Sequence, residues 1–326
     1  MTLGIIDVGT TSIHLLIGIF GMNGTFYVIL KERELARVGD GGLARNRLTE
    51  KAMRRSLDIL RDYAELLRRC HVDHIEAVAT SALRDAVNGA AFAKRARRLG
   101  VPLRVISGRG EARLIYLGVV RAHRLRGPSL IITIGGGSAQ VIFGDDRRVG
   151  YLTSLPLGGS RLAQRFVHHD PADSRELATM SGYADDIWQP VVRSLHRRRW
   201  RRVIVSSATI YQLMLAAYRA AHPPGSEKPR RLSMTQHALR WWVGWLSQST
   251  AQQRARLKGV DPKRQEVLLP TAVVLLSLME RCRISRVIHR AGSLREGLVL
   301  HYWQRYRHGT SRRPLTIKNL AKQKFL

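Results

Sequence analysis

Acidic residues are scarce in this sequence. Only 24 Asp and Glu stand against 55 Lys and Arg in 326 residues, a formal net charge of +31. Such a surface attracts polyanions, whether nucleic acid, polyphosphate, nucleotides or an anionic membrane. An Arg-rich proteome or codon bias accounts for the same excess with no ligand at all. Cysteine is scarcer still. Cys70 and Cys282 lie far apart with no metal-type spacing around them, which argues against a disulfide framework and predicts a reduced, cytoplasmic protein. Long hydrophobic runs are missing too. The longest, Val267–Met279, is too short to span a bilayer and contains Pro270. The opening Met-Thr-Leu-Gly-Ile-Ile-Asp lacks a basic stretch and carries Asp7 inside its apolar run, so it does not have the form of a signal peptide. The expectation is a soluble protein with no membrane partner. A hydrophobic content of 44% argues against disorder over most of the chain, and 326 residues suit two domains.

What the sequence does have is glycine in one telling stretch, Leu130-Ile-Ile-Thr-Ile-Gly-Gly-Gly-Ser-Ala-Gln-Val-Ile-Phe143. An apolar run with the character of a buried strand stops at Gly135, Gly136, Gly137 and Ser138, then resumes as a second strand. Consecutive glycines let backbone N–H groups converge on an anion with no Cβ in the way. An ordinary tight hairpin explains one such glycine well and three poorly. A near copy opens the chain, Ile5-Ile-Asp-Val-Gly-Thr-Thr-Ser-Ile-His-Leu-Leu16, with Gly9 and Ser12 each 126 residues before Gly135 and Ser138. Asp7 aligns with Thr133.

Strand-like and helical stretches alternate on both sides of Gly127-Pro128, which indicates an α/β fold. In the first half, strands are expected over 3–16 (as a hairpin), 26–35, 75–79 and 101–106. Helices are expected over 50–69, 89–99 and from Ser107 to about His123, with Thr80–Asp85 as a loop. In the second half the expected strands are the glycine hairpin, 149–157, 203–209 and 286–289. The expected helices cover 161–169, 174–195, 235–248, 265–282 and 294–306, with a loop over 222–231 and a loosely held basic tail from His308.

The motifs, taken together, resemble the exopolyphosphatase and guanosine pentaphosphate phosphohydrolase family, within the actin, sugar-kinase and heat-shock-chaperone fold superfamily. They are Ile6-Asp-Val-Gly-Thr-Thr-Ser12, Ala79-Thr-Ser-Ala-Leu-Arg-Asp-Ala86, the stretch Val105–Gly118, Ile134-Gly-Gly-Gly-Ser138, Ser154-Leu-Pro-Leu-Gly-Gly-Ser-Arg-Leu162 and Leu294-Arg-Glu-Gly-Leu298. The resemblance implies two related actin-like (ribonuclease H-like) lobes, each a mixed sheet flanked by helices, facing a central cleft. The lobes would cover 1–123 and 124–307, with the tail at 308–326. It also implies magnesium-dependent removal of terminal phosphate from inorganic polyphosphate or guanosine pentaphosphate, with Glu111 activating water.

The residues fit that chemistry in part. Phosphoanhydride hydrolysis needs charge neutralisation, an in-line water and a base that orients it. Ser107 reads as a helix N-cap, which puts Glu111 in the first turn of the helix; a carboxylate there also complements the helix dipole. Where the family carries a second glutamate, at the capping-box position, this chain has Gly110. Gly9, Thr10, Thr11, Gly135, Gly136, Gly137 and Ser138 are the expected phosphate-binding residues. Arg84 is either a further phosphate contact or a solvated arginine, and Asp7 is the expected magnesium ligand. Thr133 and Gln140 stand where the family has an aspartate and a glutamate, which motivates an alternative: a catalytically weakened binding protein for polyphosphate or an alarmone. The turn Ser206-Ser-Ala-Thr209 lacks glycine, which favours polyphosphate over a nucleotide. The basic run Arg197–Arg202 with Trp200, and Arg312, Arg313, Lys318, Lys322 and Lys324 in the tail, are either a polyanion track or solvated charge, so nucleic acid stays open as a partner. A homodimer stays open as well. His168, His169, His71 and His74 read as surface residues without supporting ligands.

Overall fold

The computed structural model describes residues 1–310 except 224, 228 and 230, so the tail's basic residues at 312 and beyond, read as either a polyanion track or solvated charge, lie outside the described residues. In chain order the first half runs β1 (Thr2–Val8), β2 (Ile13–Phe20), β3 (Phe26–Glu34), α1 (Glu50–Arg69), β4 (His74–Ala79), α2 (Ser81–Asp85), α3 (Gly89–Arg98), β5 (Leu103–Val105) and α4 (Gly108–Ala122). The second half runs β6 (Ser129–Ile134), β7 (Ala139–Gly144), β8 (Val149–Leu155), α5 (Gly159–Phe166), α6 (Ser174–Leu195), β9 (Arg202–Val205), α7 (Ala208–Ala221), β10 (Ser233–Thr235), α8 (Gln236–Gln248), α9 (Ala251–Ala255), α10 (Gln265–Arg281), β11 (Arg286–His289) and α11 (Leu294–Thr310).

Two mixed sheets organise these elements. The first has the order β3-β2-β1-β4-β5 and the second β10-β11-β9-β6-β7-β8. Read from its other end, the second sheet repeats the first: a hairpin beside its edge strand, then parallel strands reached through helices, with β10 added at the far side. The hairpins match residue for residue. Asp7 pairs with His14 across β1 and β2, and Thr133 pairs with Gln140 across β6 and β7. The short sequence repeat therefore marks a structural duplication.

The chain forms two compact units. The first holds Met1–Arg126, Asp145–Leu152 and the described residues from Ala291 on; the second holds Gly127–Gly144 and Thr153–Arg290. This changes one expected assignment, because α11 had been placed with the second lobe. It packs instead along α4 in the first unit. The reason is a close backbone approach: a Cβ at Gly297 would lie 1.9 Å from the carbonyl oxygen of Leu114.

Local sequence explains the elements that hold the sites. Helix α1 buries Met53, Leu57, Leu60, Tyr63 and Leu67 at helical spacing, under a Thr49 cap that accepts from Ala52 N. With Ile6, Val8, Ile13, Leu15 and Ile17 from the β1–β2 hairpin they form the core of the first unit. In the second unit the long apolar run becomes α10, buried at every position from Val267 to Met279, as suits a helix hydrophobic all round. Trp188 of α6 fixes it by donating from Nε1 to the Val274 carbonyl at 3.1 Å.

Three expectations needed correction. Residues 81–85 form the short helix α2 rather than a loop, because Leu83 and Arg84 N–H groups both turn back to the Thr80 carbonyl. The strand expected over 203–209 ends at Val205, since the Ser207 side chain caps a helix over Ala208–Ala221 that the sequence reading did not assign. His169 has carboxylate neighbours after all. The Asp173–Glu176 capping box of α6 brings Glu176 to 2.9 Å from His169 Nδ1, although Glu176 is already accepting from the His168 and Asp173 N–H groups.

Candidate active site

Each hairpin ends in a two-residue turn closed by one bond, Gly9 N–H to Ser12 O at 3.0 Å and Gly135 N–H to Ser138 O at 2.9 Å. What makes these turns candidate anion sites is how their carbonyls are held from behind. In the first turn, Thr10 O accepts from Gly39 N–H at 3.1 Å and Thr11 O from Arg37 N–H at 2.8 Å. In the second, Gly135 O accepts from Gly159 N–H, Gly136 O from Arg161 N–H and Gly137 O from Arg161 Nε, each at 2.9 Å. A trans peptide carries its N–H opposite its C=O. The N–H groups of Thr11 and Ser12, and those of Gly136, Gly137 and Ser138, therefore face away from these anchors. Backbone N–H groups turned to the side opposite the anchors are the kind of donors an anion needs.

The anchors were not legible as such. Arg161 read only as a helical residue, yet it is buried with its guanidinium on the glycine turn. The signal that could have revealed it is an arginine directly after Gly158-Gly159-Ser160. Gly158 is itself required there, because a Cβ would sit 2.3 Å from the carbonyl carbon of Gly137.

The first unit also holds ionisable side chains. Ser107 caps α4 by accepting from Gly110 N–H at 3.1 Å, as expected, so the residue lost from the usual capping box costs the cap only its reciprocal bond. Glu111 lies buried in the first turn of α4 and accepts from Arg84 at 2.9 Å. Burial pushes its carboxyl up to about 7, against the Arg84 guanidinium, which pulls it down; Asp7 and Asp85 raise it further. Asp7, half-buried on β1, is pushed up to about 6 by the same loss of solvent, opposed by Arg295. Arg295 reaches back from α11 to His14, the strand partner of Asp7. Arg84, expected at a phosphate, is placed on Glu111, with further contacts to Asp85 and to the Ile106 carbonyl. The Thr10 hydroxyl lies 3.1 Å from Ser81 Oγ.

Two carboxylates, one buried and one half-buried, with a penalty on their charged forms are a donor set that a hard divalent cation fits, since its charge offsets the lost solvation. Asp7 would be its first ligand. The second turn offers no such set. Thr133 and Gln140 flank it with neutral groups, and Ser207, where a nucleotide-binding turn was considered, is occupied in donating to Ile134 O at 2.8 Å and capping α7. Of the basic run, Arg198 lies over the Phe143 ring at 5.1 Å and Trp200 is half-buried. No helix among the described residues is long and apolar enough to cross a membrane.

Comparison with known proteins adds a second line. The model of the Ppx/GppA phosphatase family matches residues 21–305. Exopolyphosphatase 1 of Mycobacterium tuberculosis (strain ATCC 25618 / H37Rv) is 29% identical over 315 residues, covering 95% of this chain and 91% of that protein. A guanosine-5'-triphosphate,3'-diphosphate pyrophosphatase of Photobacterium profundum is 28% identical over 312 residues, 93% of this chain but 59% of that protein. Among solved structures, an exopolyphosphatase from Cytophaga hutchinsonii superposes with a TM-score of 0.83 at 26% identity, covering 93% of this chain and 98% of that one.

Proposed function

The chain belongs to the Ppx/GppA phosphatase family, and on that premise we propose that it is a phosphoanhydride hydrolase that releases terminal phosphate from inorganic polyphosphate, with Glu111 as general base. The observation that carries the proposal is the placement of Glu111: buried, held by Arg84, in the same unit as a candidate phosphate turn and Asp7, with burial pushing its carboxyl up to about 7. A base works best with a pKa near the working pH. Water attacks the terminal phosphorus while Glu111 accepts its proton; the P–O–P bond breaks, giving orthophosphate and a chain one phosphate shorter. Backbone N–H groups of the turns bind and orient phosphate oxygens. A magnesium ion held by Asp7 would supply further charge neutralisation on the phosphates.

Polyphosphate is favoured over guanosine pentaphosphate because Ser206–Thr209 is spent on capping α7 and leaves no glycine gap for a nucleotide. The greater coverage of the exopolyphosphatase relatives supports the same choice. The neutral surroundings of the second turn favour one other reading, a polyphosphate- or alarmone-binding protein with little turnover. Phosphate release from long polyphosphate with magnesium separates the two. The hydrolase reading expects Glu111→Gln to lose about a hundredfold or more of the rate. Equal rates in both proteins would end the Glu111 assignment, and tight binding without release at any magnesium concentration would favour the binding protein.

A further inference from the structure

In both turns the serine hydroxyl accepts a side-chain N–H, but the donor to Ser12 Oγ is the Arg33 guanidinium, at 3.4 Å, and the donor to Ser138 is a neutral amide. Gln140 on β7 is 1% exposed, and its Nε2 donates to Ser138 Oγ at 2.8 Å and to Ser154 Oγ at 3.1 Å. A hydroxyl has one proton and two lone pairs. When a buried amide occupies a lone pair on the inner side, the hydroxyl keeps its own proton to give elsewhere. A carboxylate at residue 140 would do the opposite: it would take that proton and turn a lone pair outward, which suits a cation. Directly across the ladder, the buried Thr133 hydroxyl has no hydrogen-bond partner among the described residues. A buried polar group left unmatched costs free energy unless a ligand completes it.

We propose that the second turn binds a phosphate oxyanion directly, with no cation between, and that Gln140 is the positioning residue that turns the Ser138 and Ser154 protons toward it. The N–H groups of Gly136, Gly137 and Ser138, with the Thr133 hydroxyl, complete a donor set without a formal charge. The ligand class is one phosphate group of a phosphoanhydride chain. The inference rests on the hydrolase reading and assigns metal-independent affinity to one of its two turns.

The test is calorimetric titration of the full chain with tripolyphosphate, once in EDTA and once in magnesium. In EDTA, Gln140→Glu is expected to weaken binding by about tenfold or more, the size of a lost hydrogen bond to a charged group. Magnesium should recover most of that loss, because the new carboxylate supplies a cation ligand. Gln252→Glu, an exposed site with the same change of charge, should bind as the parent does and so controls for general attraction to a basic surface. Unchanged binding of Gln140→Glu in EDTA overturns the proposal. So does a parent chain that binds tripolyphosphate only in magnesium, and if it still releases phosphate then the hydrolase reading survives on its own. Absence of both binding and phosphate release in every condition removes the hydrolase reading and this proposal with it. Should Gln140→Glu fail to fold, the isosteric Thr133→Val takes its place: a loss of about fivefold in EDTA supports the neutral donor set, and no loss overturns it.

Discussion

The first turn is backed by two main-chain N–H groups from a loop, those of Gly39 and Arg37, and is accompanied by carboxylates whose charge burial penalises. The second is backed by the start of a helix and by a buried arginine side chain, and is surrounded by hydroxyls and an amide. One backbone device thus appears twice, with charge in one copy and hydrogen-bond polarity in the other. The difference shows that duplication conserves what the backbone must do and leaves free what the side chains supply. It also predicts that the two copies fail in different ways.

The largest structural contrast lies in what stands behind each turn. A Cβ at Gly158 would meet the main-chain carbons of Gly137 and Gly136 at 2.3 and 2.4 Å, atoms that cannot move without opening the second turn. At Gly39 a Cβ would meet the side-chain carbons of Leu43 and Thr10 at 2.8 Å, so side chains rather than the main chain would have to give. Gly158→Ala is expected to cost about 3 kcal/mol and Gly39→Ala about 1 kcal/mol. Urea unfolding of the two variants measures the gap, and equal losses would mean that the second turn is no stiffer than the first.

A second contrast is in pH. Asp7 is pushed up to about 6 when folded, while an unfolded carboxyl titrates near 4. The stability this group contributes is present below about pH 4 and is lost as pH rises through about 6, because folding then has to bury a charge. Asp7→Asn escapes the loss. In EDTA its advantage over the parent should grow from near zero at low pH to about 3 kcal/mol at neutral pH, and magnesium should narrow it. Thr133→Val, at the matching place in the second turn, should show no pH-dependent difference, since a hydroxyl does not titrate there. Thermal unfolding across pH 4–8 distinguishes the two, and a flat profile for Asp7→Asn would remove the charge asymmetry between the turns.

Much of this was legible in the sequence, for identifiable reasons. The turns announce themselves because glycine and threonine between apolar strands leave few other backbone solutions, and Ser107 announces Glu111 because N-caps are local. The 126-residue repeat even carried the strand register, Asp7 to His14 and Thr133 to Gln140. What stayed hidden was long-range. Arg161 read only as a helical residue because nothing local says that α5 begins against a glycine turn. Helix α7 was missed because Ala208–Ala221 follows a strand with no Gly or Pro break, so only the Ser207 cap marks the change. The return of α11 to the first unit depends on Gly297 meeting Leu114, a pairing of residues far apart in the chain.

The smallest expected effect is the most discriminating for the first unit. Arg84 was expected to touch phosphate, and the structure puts it on Glu111 at 2.9 Å. Its charge is what holds the Glu111 carboxyl down against burial. Arg84→Met should therefore raise the Glu111 pKa, moving the acid limb of the kcat/KM profile to higher pH and costing about tenfold below pH 7. If Arg84 acts only through Glu111, the rate at high pH recovers to that of the parent and KM for polyphosphate does not change. If it also binds phosphate, KM rises at every pH and the plateau stays low. A profile that does not shift would mean that Glu111 is not the titrating base. The second turn has no titrating group flanking it at Thr133 and Gln140, so Gln140→Leu should lower affinity without moving either limb. The pair of profiles thus separates proton chemistry at Glu111 from phosphate binding at the second turn.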